Sequence, residues 1–156
     1  MAATARTALS NIKTRIAGIT TGGGFHYSLD GADQVVIASP IHPERVPAVY
    51  LDVQSVTSAL AEGKTHLNAY TRTVVYGFLG FVASNTDSPS DRTLAAMDLL
   101  DDITARLEGD RGLSNTVFDL VVVGTAFDGA AEDLPSLGVV AGTITVWWRT
   151  AAGQGV

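Results

Sequence analysis

The chain has 156 residues, a formal net charge of −6 at pH 7, 46% hydrophobic residues and no cysteine. That is one domain's length with enough apolar matter for a core, and its acidic balance argues against a broad nucleic-acid-binding surface. The missing thiols exclude disulfides, Cys-ligated zinc and thiol catalysis. Charged residues make up only 17%, below the roughly 25% typical of soluble domains, which suits a surface that is partly interface. No run approaches the ~18 apolar residues of a membrane span. The N-terminus lacks the apolar core of a signal peptide, so the expectation is a soluble intracellular chain.

Thr4 to Ile19 reads as a helix, with Ala5, Ala8, Leu9, Ile12, Ile16 and Ile19 on one face. Arg6, Lys13 and Arg15 make it the most basic segment. It is a solvated face or a patch that meets an acidic partner. Thr20 to Gly24 ends this helix. No Lys-Ser/Thr pair follows the three glycines, so they read as a flexible connector and not as a phosphate-binding loop. Phe25 to Leu29 alternates like a short strand before a turn at Asp30-Gly31, and Val35 to Ala38 is its partner strand or a helical turn. Pro40, Pro43 and Pro47 make Ser39 to Pro47 a loop.

Ala48 to Thr57 alternates as a strand, and His66 to Ala83 is a long second strand paired antiparallel with it. Within the latter, Arg72 to Ala83 is apolar on both faces: Val74, Tyr76, Phe78 and Val82 on one, Val75, Leu79 and Phe81 on the other. Such a strand must be covered twice. Ser88 and Pro89 introduce a helix over 91–107, with Asp91 in its first turn. Leu94, Met97, Leu100, Ile103, Thr104 and Leu107 are its expected apolar stripe, and Gly109 or Gly112 its end. Val117 to Thr125 and Gly138 to Thr150 are the remaining strands. In the last, Val140, Ile144, Val146 and Trp148 form the core face. Trp147 stands on the other face beside Thr145 and Arg149, as an interface anchor or under a loop. The tail 151–156 reads as mobile.

No catalytic constellation emerges. Asp98, Asp101 and Asp102 share a helical neighbourhood, as an acid–base pair or cation site requires. With no histidine at helical spacing they read as a solvated acidic face. His26, His42 and His66 lie far apart, and a metal site would need the fold to gather them. There is no Gly-x-Ser-x-Gly, His-Glu-x-x-His or Walker loop. Together these elements predict a single α+β domain: a mostly antiparallel four- to five-stranded sheet with two amphipathic helices packed on it. The helices cover one face, the other carries too much apolar surface to stay wet, and a homo-oligomer is the economical solution.

The order of segments resembles the tail terminator proteins of long, non-contractile-tailed phages and phage-like particles. The resemblance lies in an amphipathic N-terminal helix, the strand entry Pro47 to Leu51, the Arg-Thr-Val-Val-Tyr strand Arg72 to Tyr76, the helix segment Leu94 to Leu100 and the closing Thr-Val-Trp-Trp-Arg-Thr of Thr145 to Thr150. It spans roughly residues 5 to 150 as a pattern, without a short diagnostic motif. It implies a non-enzymatic virion protein without a cofactor. Such a protein forms a six-membered ring on the head-proximal end of the tail tube, stops tube polymerisation and docks the head connector. DNA would pass through without specific binding. Under that resemblance, Tyr76, Phe78, Trp147 and Arg149 are the expected interface residues, and Asp98, Asp101 and Asp102 the expected acidic channel lining. The alternatives are another tail-completion or neck ring protein, a small-molecule-binding module with a pocket between helix 91–107 and the sheet, and a hydrolase using the Asp cluster with a gathered histidine.

Overall fold

The computed structural model describes residues 4–38, 43, 45–60, 69–113, 117, 119–132 and 135–151. Helix α1 (Ala5–Ala17) starts at a reciprocal cap. Thr4 Oγ1 accepts from the Thr7 amide at 3.1 Å, and Thr7 Oγ1 accepts from the Thr4 amide at 2.9 Å. Its buried side chains, Ala8, Leu9, Ile12 and Ile16, fall on one stripe. The expected flexible connector is instead a short 3₁₀ turn at Thr21–Gly23, capped by Thr20 Oγ1, and Gly24 closes it at φ 93°, a conformation that favours glycine.

Strands β1 (Val35–Ile37), β2 (Ala48–Leu60), β3 (Ala69–Val82), β4 (Asp119–Asp128) and β5 (Gly138–Ala151) form one sheet in the order β1-β2-β3-β5-β4. Only the β1–β2 pair is parallel. The α+β expectation of a mostly antiparallel sheet with two helices holds. The expected hairpin of 25–29 with 35–38 does not. The amides of His26 and Tyr27 donate to the Asp102 carboxylate at 3.1 and 3.0 Å, and that of Leu29 to the Ile19 carbonyl at 2.8 Å, so these three donors are not available to a ladder. Val35–Ile37 pairs with Val49–Leu51 instead. The expected start of β3 at His66 and the tail 152–156 lie outside the described residues, while Ala151 still pairs with Ala69.

Helix α2 (Pro89–Glu108) has proline in its first turn and Arg106 in its last, in keeping with its dipole. Its buried stripe is Arg92, Ala95, Ala96, Leu99, Asp102, Ile103 and Leu107, rotated from the one expected. Leu94 and Met97 are exposed at 54% and 49%. The sheet below explains the rotation. A Cβ on Gly138 would stand 3.1 Å from the Ala96 amide, and one on Gly124 only 2.8 Å from Leu100 Cδ1. The helix lies close over bare backbone: its own backbone at Arg92 and Ala96 approaches Gly138, and Leu100 reaches Gly124.

Both helices pack on one face of the sheet. There Val49, Leu51, Val74, Tyr76, Ile144 and Val146 are fully buried with Ile12, Ile16, Leu99, Ile103 and Leu107. A second, smaller cluster sits at one end of the opposite face. Its members Ala48, Tyr50, Phe81 and Val139 pack against Val36, Leu79, Phe127 and Leu137.

Candidate assembly surface

Alternation along β3 and β5 decides which side chains reach which face. Tyr76 and Phe78 point under the helices and are 0% and 4% exposed. The Tyr76 hydroxyl donates to the Ala5 carbonyl at 2.5 Å, and burial pushes its pKa well above the ordinary 10. Both residues are core, which corrects the expectation that they serve an interface: the helices already occupy their face.

The intervening residues, Val75, Thr143, Thr145 and Trp147, are half-buried on the far face. Trp147 stands opposite Thr73 of β3 and Asp119 of β4, on the same face as the exposed Arg149. The sequence placed this pair correctly. Across from Thr143 and Thr145, Val123 and Val121 of β4 are 62% and 40% exposed. Between its covered end and Arg149 this face is a shallow, weakly charged, partly apolar surface with Trp147 at its margin.

Among the described residues the sheet has two bare edges. β4 is terminal in the order, and its only ladder partner there is β5. β1 covers β2 only along Val49–Leu51, so among the described residues Val53 to Ala59 is a second free edge, and all seven are exposed. Neither stretch shows the lysine or proline that usually protects an edge, although a bulge falls between Val53 and Ser55. The acids at the two ends of β4 are occupied. Arg111 holds Asp119 in a fork at 2.7 and 2.8 Å, and Arg92 holds Asp128 at 2.6 and 3.2 Å.

The Asp cluster divides. Asp101 is exposed and Asp98 half-exposed, as a solvated face requires. Asp102 is 3% exposed and cannot line a channel. Its carboxylate takes both backbone amides of the incoming loop and the His26 ring, whose Nδ1 stands 2.8 Å away. His26 Nε2 faces Asp98 at 3.8 Å. The hydrogen bond to Asp102, with Asp98 and Asp101 nearby, outweighs desolvation and raises the His26 pKa above the ordinary 6.5. The fold therefore does gather one histidine onto the acids, but as a latch. Among the described residues the hydrogen-bond partner of that ring is the Asp102 carboxylate. Among the described residues no group of three or more histidine or carboxylate side chains is arranged to hold a metal ion. His42 and His66 lie outside them.

The second ionic group is buried Arg92 with buried Asp128, joined from the surface by the exposed Asp87 at 2.5 Å. The arginine holds the Asp128 carboxyl below the ordinary carboxylate range, helped by the Ala130 amide and opposed by burial. It ties the start of α2 to the end of β4. Sequence reasoning missed both groups, yet a signal was present. Arg92, Ala95, Ala96, Leu99, Asp102 and Ile103 are spaced by threes and fours, so the two charges share the stripe of the smallest core residues. The α2–sheet interface, where a small-molecule pocket was expected under one alternative, is filled by fully buried Leu99, Ile103 and Leu107.

No family model matches the chain, and no curated protein matches it. Its backbone is similar to a chain of a solved structure described as "Virion of native gene transfer agent (GTA) particle". The TM-score is 0.44 with 10% identity, over 89% of this chain and 92% of that one. This is a likeness of general architecture. Among the described residues no helix is long and apolar enough to cross a membrane.

Proposed function

We propose that this chain is a structural subunit of a phage-like particle that acts as a tail terminator: a ring on the head-proximal end of the tail tube that ends tube growth and receives the head connector. The observation that carries the structural role is the unfinished sheet. One face is sealed by two helices, while the other exposes Val121 and Val123 and leaves Trp147 half-covered. Apolar surface left at strand edges fits completion by further subunits. The terminator assignment rests on the resemblance of segment order. The five segments that carry it fall in α1, at the entry of β2, in β3, in α2 and in β5, which together make three adjacent strands and the two helices over them.

In this reading Trp147 and Arg149 belong to the subunit interface. Asp98 and Asp101, without Asp102, are the acids available to line a channel through which DNA slides without adhering. The deciding experiment is mass by light scattering with and without purified tail tubes, followed by imaging of the tube ends. Density on one end only is the expected result. A chain that ignores tubes overturns the assignment.

A further inference from the structure

We propose that copies of this chain join head to tail by strand pairing, with the outer edge of β4 meeting the free half of β2, Val53 to Ala59, of the next copy. The inference deepens the ring reading and rests on it for closure; the pairing itself follows from the sheet.

Strand direction is the first argument. β2, β3, β5 and β4 alternate along the sheet, so β2 and β5 run one way and β3 and β4 the other. A rotation that lays one sheet beside the next while keeping strand direction brings β4 against a β2 running opposite to it. The junction is then antiparallel like its flanking pairs, and the sheet continues without a break.

Length and chemistry match as well. Between Asp119 and Asp128 the β4 edge is Leu120 to Phe127, eight residues without a charge, and its terminal acids are engaged by Arg111 and Arg92. The free half of β2 is likewise uncharged, and Asp52 lies just before it. Val53 and Val56 are 48% and 41% exposed there. Two long edges bare of charge are templates for pairing, and unpaired backbone groups on both gain partners at one junction. Each copy gives one edge and receives one. The interface is therefore heterologous, and it closes into a ring only when the rotation per copy divides a full turn.

The absence of native cysteine makes the test clean. Ser55 and Val123 are exposed on the same face of the sheet, at its two free edges. Ser55→Cys and Val123→Cys are made separately in the full chain and treated with a short thiol-reactive crosslinker, alone and mixed. Crosslinked dimers that form on mixing, together with a ladder of multimers from the double variant, are the expected result. Dimers from Val123→Cys alone mean two-fold pairing of β4 and overturn the proposal. A multimer by light scattering that yields no crosslink overturns the strand pairing but leaves the ring reading intact. A chain that stays monomeric and uncrosslinked at the highest concentration reached also overturns it, and tube-end imaging then judges the ring separately. If either variant misfolds by circular dichroism, Thr57→Cys and Thr125→Cys, exposed on the same two edges, take their place with the same outcomes.

Discussion

The two faces of the sheet are built from the same strands and differ by one residue of phase. Val74, Tyr76, Ile144 and Val146 are fully buried; their neighbours Val75, Thr145 and Trp147 are only half so. Propensity does not separate them, because Val, Tyr, Ile, Thr and Trp all suit strands. What separates them is which side the helices occupy. The covered face holds the monomer together, and the open face is left for something else.

Substitutions should divide along that line. The largest effect belongs to the covered face: Leu99→Ala or Ile103→Ala should cost about 2–5 kcal/mol, read as a lower denaturation midpoint. Next is Asp102→Ala, which removes the acceptor from the part-buried amides of His26 and Tyr27, at no more than about 1–3 kcal/mol for each donor left without a partner; amide exchange of that loop should rise with it. On the open face, Val123→Lys should change monomer stability by no more than about 0.5 kcal/mol yet abolish self-association by light scattering. Trp147→Asp should likewise leave a folded monomer, and an intact ring from that variant would remove Trp147 from the interface. The smallest effect is the pH response of the latch. The His26 pKa is raised in the folded chain. Its contribution is therefore complete below the ordinary 6.5 and fades as pH climbs through the raised value. The stability difference between the native chain and His26→Asn should shrink over that rise; a flat difference would mean that the charge on the ring contributes nothing.

Much of this division was legible in the sequence. Period-two patterning sorted β3 and β5 into faces, put Trp148 inside and left Trp147 outside. It could not say which face the helices would choose, and so Tyr76 and Phe78 looked available for contacts between subunits. In the α2 stripe Ile103 and Leu107 are buried as their spacing predicts, but residue size does not mark the rest of the buried side: Ala95 and Ala96 are buried, with the Ala96 backbone close to Gly138, and Leu94 and Met97 stand in water. The His26–Asp102 latch spans 76 positions, and no local pattern announces a pairing at that distance. The strand expected at 25–29 failed in part for the same reason: the amides of His26 and Tyr27 are claimed by a carboxylate far along the chain.

Gln34 has a consequence for how the protein withstands proteases. Its buried side chain accepts from the Gly31 amide at 2.7 Å and donates to the carbonyls of Ser28 and Pro47 at 3.1 and 3.0 Å, while its own carbonyl receives the Val49 amide at 2.7 Å. One residue thereby clamps the chain on both sides of the exposed Arg45. Trypsin cutting after Arg45 should yield a nicked chain whose two fragments separate in denaturing gels but travel as one particle in native buffer.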